Sequence, residues 1–143
     1  MRAPIASLLA LVLLASCGNK WGRELRQTTP LGEATIYHSE AVDEATARKV
    51  FQVMLDSAYN FASNLPEQID KVDGRITLRL GNDNEDSLAD VAANEMKSGV
   101  SIYCRHLAWT VSKAIDGQPV DIVLCRKSLD EQVYTVRWDP ETK

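Results

Sequence analysis

Two cysteines, Cys104 and Cys125, and two histidines, His38 and His106, are the residues best suited to nucleophilic, redox or metal chemistry in the body of this chain. A thiol paired with an imidazole base makes a nucleophile when both side chains reach one atom. Cys104 and His106 stand two residues apart, which on a helix turns them about 200° away from each other, so only a local strand would let them cooperate. The sequence contains no HExxH, no GxSxG, no phosphate-cradling glycine loop and no paired CxxC that would recruit His38. The oxygen-bearing run Asn82, Asp83, Asn84, Glu85, Asp86 invites calcium, yet it lacks the spaced ligands and fixed glycine of an EF-hand loop. It reads instead as a turn leading into a helix, with Ser87 and Asp90 as the capping pair before Leu88. The expectation is therefore no catalytic constellation, no metal site and no cofactor.

A second group of residues could bind without catalysing. From Arg75 to Leu80 the chain alternates strictly, placing Ile76, Leu78 and Leu80 on one side and Arg75, Thr77 and Arg79 on the other. Such a strand belongs to a sheet covered by helices on a single face, its other face in water. Thr35, Tyr37, Val133, Thr135 and Arg137 are expected on that same wet face. An aromatic ring and three arginines there could hold an anionic or polypeptide partner, although ordinary solvation explains the same residues. The strand at 133–138 is the candidate edge for strand addition.

The elements that position these residues follow from periodicity. Residues 33–38 read as a first strand. Asp43 is an N-cap, and Ala47, Val50, Phe51, Met54, Ala58, Phe61, Ala62 and Leu65 line one helical face that Pro66 terminates. Asp73 and Gly74 are a turn signal before the alternating strand. Apolar residues from Leu88 to Ile115 recur at steps of three and four up to Gly117. They predict either one helix over 88–116 or a helix interrupted near Gly99. Val120 to Cys125 and Val133 to Trp138 read as two strands of an antiparallel hairpin. The order is β-α-β-α-β-β, which predicts an α+β two-layer sandwich with a largely antiparallel sheet and two helices on one face.

Arg2 precedes an apolar run from Ile5 to Ala15 broken only by Ser7, too short for the ~20 residues that span a bilayer. Behind it stand Leu14, Ala15, Ser16 and Cys17, which resemble the lipobox of bacterial lipoproteins at every position. The resemblance implies cleavage after Ser16 and acylation of Cys17, an effectively permanent attachment to a lipid bilayer because several fatty chains are buried. Gly18 stands where a retention aspartate would be, which by the same resemblance favours the outer membrane, facing the periplasm. The organisation expected is a signal peptide at 1–16, an acylated cysteine and flexible tether at 17–32, one α+β domain at 33–139 and a tail at 140–143. Within the tether, Lys20, Arg23, Arg26 and Trp21 suit a membrane interface or a plain soluble spacer.

With Cys17 acylated, two cysteines remain in an oxidising compartment, which raises a Cys104 to Cys125 disulfide; the alternative is two buried thiols that never meet. The mature chain carries 15 Lys and Arg against 20 Asp and Glu once Arg2 is removed, and this acidity argues against nucleic acid as a partner. The stretch from Tyr37 to Cys125, with Tyr37, His38, Ser39 running into Val42 and Asp43 and the closing Asp116 to Cys125 segment, resembles short exported domains of uncharacterised bacterial proteins. That resemblance implies no activity or site. The functional expectation is an envelope lipoprotein with a non-enzymatic binding or scaffolding domain that meets another envelope protein. The alternative is a small periplasmic thiol enzyme or redox protein using Cys104 or Cys125.

Overall fold

The computed structural model describes residues 20–57, 59, 61, 65–95, 97–126 and 128–140. The signal peptide, Cys17 and residues 141–143 lie outside the described residues, as do Ala58, Ala62 and Met96 of the apolar series.

Six strands and three helices alternate along the chain: β1 Arg23–Thr29, β2 Gly32–His38, α1 Glu44–Asp56, β3 Glu67–Val72, β4 Arg75–Gly81, α2 Glu85–Ala93, α3 Gly99–Ala114, β5 Val120–Arg126 and β6 Glu131–Trp138. The strands form one sheet in chain order, so β1 and β6 are its edges. Pairs β1·β2, β3·β4 and β5·β6 are antiparallel hairpins, while β2·β3 and β4·β5 are parallel. The fold is α+β, but its sheet is mixed where a largely antiparallel one was expected. The reason is that α1, and then α2 with α3, carry the chain back to the starting end of the preceding strand, and a strand laid after such a return must run parallel.

One core joins the three helices to one face of the sheet. Leu25, Ile36, Ile69, Ile76, Leu78, Leu80, Ile122, Leu124 and Val136 from the strands are buried with Val50, Met54, Leu88, Val91, Leu107 and Val111 from the helices. The period-2 and period-3.6 apolar patterns of the sequence are these two surfaces.

Caps set the helix limits. Asp43 Oδ1 accepts from the Thr46 amide at 2.9 Å and starts α1. That helix ends at Asp56, short of Leu65, with Ser57, a poor helix former, as its C-cap, and the rings of Tyr59 and Phe61 turn back onto the core. Phe61 meets Phe51 and Tyr59 edge-on at 5.3 and 4.9 Å. Asn84, and not Ser87, caps α2, accepting from the Ser87 amide at 3.0 Å, while Asn82 Oδ1 accepts from the Asn84 amide. The acidic run is thus a turn and cap, with Glu85 and Asp86 favourably placed at the positive end of the helix. Ser98 caps α3, so the series from Leu88 to Ile115 is two helices. At the far end the Gly117 amide reaches the Ser112 carbonyl at 2.8 Å, with Asp116 in the left-handed region.

Two strands were absent from the sequence reading. The stretch expected to be a flexible tether contains β1, which pairs along its whole length with β2 from Arg23 opposite His38 to Thr29 opposite Gly32. Strand β3 pairs with β4 through a turn in which both Asp73 and Gly74 have positive φ.

Candidate functional site

The face of the sheet opposite the helices is where the predicted binding residues converge. Strand register places Tyr37 beside Gln68, Gln68 beside Arg79, Arg79 beside Val123 and Val123 beside Thr135, one row across five strands. The next row runs Asp70, Thr77, Asp121, Arg137. Arg75 lies one step further along β4. Of the eight predicted residues, Tyr37, Arg75, Thr77, Arg79, Thr135 and Arg137 therefore share the open face, and Thr35, two residues before Tyr37 on β2, lies on the same side.

Val133 does not join them. A bulge at Leu124 and Cys125 pairs Leu124 with Tyr134 and Cys125 with Gln132, and the extra residue turns Val133 onto the main core.

The arginines of this face are already neutralised. Arg75 donates from Nε and Nη2 to Asp121 Oδ1 at 2.9 and 2.8 Å, from Nη2 to the Trp138 carbonyl at 3.0 Å, and from Nη1 to Asp139. The Asp121 bonds hold its guanidinium more firmly protonated than usual. Arg79 donates to Asp70 Oδ2 at 2.7 Å and Gln68 Oε1 at 2.9 Å, while the Ser39 hydroxyl donates to Asp70 Oδ1 at 2.6 Å. Burial works to raise the Asp70 carboxyl, but the bonds from Arg79 and Ser39 outweigh it and keep it below the ordinary range. Arg137 lies 3.5 Å from Asp121, and Thr77 is buried. The carboxylates come from β3, β5 and the residue after β6, so each strand brings the counter-charge for its neighbour. An anionic ligand would have to displace these pairs.

The chain ahead of β1 lies on this same face. The Trp21 ring meets Tyr37 at 5.4 Å, its carbonyl accepts from Gln68 Nε2 at 2.8 Å, and the ring packs on a small second core of Val123, Cys125 and Leu129. Lys20 extends over the Trp21 ring, 5.0 Å from its centre, and reaches Asp130 at 3.5 Å. Trp21 is thus folded onto the sheet and is not part of a free spacer. Beside it a cleft of about 350 Å³ opens between β1–β2 and the segment before β3, walled by Tyr37, Phe61, Leu65 and Glu67.

Glu67 is the residue that the sequence reading missed. It is 2% exposed, and Tyr59 Oη donates to its Oε1 at 3.1 Å. Burial pushes its carboxyl up to about 8, against a smaller lowering by the Tyr59 bond. The sequence signal for it is weak: within β3 it holds the same parity as the buried Ile69.

The cysteines sit on opposite sides of the sheet. Cys104 belongs to the main core on α3 and Cys125 to the second core on the open face, both free thiols and both buried. Of the two alternatives the structure has the second, buried thiols that do not meet, because the sheet stands between them. Burial pushes Cys104 up to about 12; it also pushes Cys125 up, to about 11, against a small opposing pull from Arg79. His106 is exposed on α3 beside Trp109 while Cys104 points into the core, as their spacing on a helix requires. His38 is buried with Nδ1 against the carbonyls of Ser39 and Val42, a backbone-bracing role. Among the described residues no three His, Cys, Asp or Glu side chains are grouped to hold a metal ion. No helix among them is long and apolar enough to cross a membrane.

No family model matches the chain, and neither a curated protein nor a solved structure matches it.

Proposed function

We propose that this chain is a bacterial envelope lipoprotein, held in the outer membrane through acylated Cys17 and facing the periplasm, whose α+β domain binds or scaffolds another envelope component and carries no catalysis. The observation that carries the reading is the run Leu14, Ala15, Ser16, Cys17 directly behind a short apolar stretch with a preceding cation.

Two features support a binding role over the thiol-enzyme reading. Each thiol is buried and held well above neutrality, whereas a reactive cysteine needs an accessible thiolate. On the outward side of α3, Ile102 and Trp109 are 55% and 40% exposed and lie seven residues apart, two turns along one stripe. Exposed apolar area on a structured helix is the usual material of a protein contact.

The test is the intact mass of the protein recovered from its native host, together with metabolic incorporation of a clickable fatty acid. The expected product starts at Cys17, carries acyl chains and loses the label in Cys17→Ser. A product retaining residues 1–16, or a bare thiol at Cys17, overturns the anchor. Cross-linking in intact cells that recovers lipid alone overturns the binding role.

A further inference from the structure

We propose that the open face of the sheet, at the end carrying the β1–β2 and β5–β6 turns, is the surface that rests on the phospholipid bilayer, so that the helical layer faces away from the membrane. This rests on the lipoprotein reading of Cys17 and goes beyond it by assigning an orientation.

The first argument is the length and exit point of the chain. A 15-residue flexible tether would place no constraint on orientation, but the chain already lies against the sheet at Lys20 and only three residue steps separate Lys20 from Cys17. Fully extended, three steps reach about 11 Å. Lys20 is not at a free end of the domain: it lies against Asp130 on the β5–β6 turn, after Trp21 has crossed the open face. The anchor thus leaves from that face. Gly22 enforces the crossing, since its φ is +107° and a Cβ there would come within 2.2 Å of the His38 carbonyl oxygen. Because β5 runs antiparallel to β2, the turns at 30–31 and 127–130 share one end of the sheet.

The second argument is charge. Residues 40–56 and 83–116, which hold the helices and their loops, contain ten Asp and Glu against five Lys and Arg. The arginines of the open face are matched by carboxylates, as the pairs above show. An anionic leaflet therefore repels the helical layer and is indifferent to the sheet face.

The third is Leu31, 95% exposed at the tip of the β1–β2 turn, at the same end as the exit. A large apolar side chain held fully in water at a turn tip is suited to the acyl boundary, and at the same end of the sheet Lys20, against Asp130, supplies a cation by the β5–β6 turn.

The experiment uses the full acylated protein reconstituted into vesicles of phosphatidylethanolamine and phosphatidylglycerol containing a headgroup-labelled quencher lipid. A fluorophore is placed in turn at Leu31→Cys, Thr135→Cys and Lys113→Cys, the last on the outward end of α3; the native thiols are buried and stay unlabelled. Quenching severalfold greater at positions 31 and 135 than at 113 is the expected result. Inserting a ten-residue Gly/Ser spacer after Gly18 should erase the difference. Equal quenching at all three positions, or the strongest at 113, in protein that floats with the vesicles overturns the orientation and leaves the anchor standing. Protein that fails to float, with no acyl mass on Cys17, overturns both.

Discussion

The hydroxyl of Tyr59 donates to Glu67 Oε1 at 3.1 Å in a region where the carboxyl is 2% exposed and sits at about 8, so the fold holds Glu67 as a neutral acid at pH 7. In the unfolded chain the same group titrates near 4.5. A folded value raised above the unfolded one contributes stability that is complete below about 4.5 and is lost as pH rises toward 8. Glu67→Gln keeps the shape and removes the titration. The variant is expected to match the parent near pH 4.5, to exceed it by a few kcal/mol at pH 9 in urea unfolding, and to flatten the stability profile between them. An unchanged profile would mean that the carboxyl ionises freely in the folded protein.

Among the described residues Arg75 and Asp121 form the most enclosed ion pair, with side chains 14% and 11% exposed, whereas Arg48 and Glu44 on α1 are 59% and 53% exposed. Removing one partner of a buried pair strands the other charge and costs about 3 kcal/mol, while an exposed pair contributes about 0.5 kcal/mol or less. Arg75→Met should therefore destabilise several times more than Arg48→Ala. Arg75→Met combined with Asp121→Asn should recover part of the loss, because the enclosed Asp121 carboxylate is no longer left facing the lost cation, while the other partner, Asp139, is more exposed. Equal losses in the two single variants would place the Arg75 pair in solvent.

The sequence made the apolar strands and the helix starts readable because their burial has a period: Ile76, Leu78 and Leu80 are all core, and Asp43 caps α1. It concealed β1 because an edge strand buries little, and Leu25 is the one core residue among its seven. Asp73 and Gly74 did carry the signal for β3, since that dipeptide specifies a two-residue hairpin and so requires a strand before it as well as after. The wet-face residues were legible as a set from parity alone. Their pairing was not, because the carboxylates that neutralise Arg75 and Arg79 come from other strands, and register across five strands is a property of the assembled sheet. Val133 shows the limit of parity: one bulge reverses it.

Native protein is expected to give no reaction of Cys104 or Cys125 with a water-soluble disulfide reagent at pH 8, and two equivalents on unfolding in guanidinium without reductant. Both thiols are buried and raised, so neither access nor thiolate is available in the folded state. The count on unfolding also tests the separation of the two thiols, since a bridged protein would give none. Fast reaction of one thiol in the folded state would restore the thiol-chemistry reading.

Gly22→Ala and Gly32→Ala separate two costs that are usually confounded. Both glycines have positive φ, but at Gly32 a Cβ would meet nothing within 4 Å, whereas at Gly22 it would lie 2.2 Å from the His38 carbonyl oxygen. Gly32→Ala should pay backbone strain alone, about 1 kcal/mol. Gly22→Ala must move backbone, and the least costly movement is release of the chain ahead of β1 from the open face, which takes Trp21 off Tyr37 and Val123. The expected signature is a red shift of tryptophan emission and rapid tryptic cleavage after Lys20 or Arg23 in Gly22→Ala, with neither change in Gly32→Ala. Fluorescence and cleavage indistinguishable between the two variants would mean that the crossing does not depend on Gly22, and the hold of Lys20 and Trp21 on the open face would lose its structural basis.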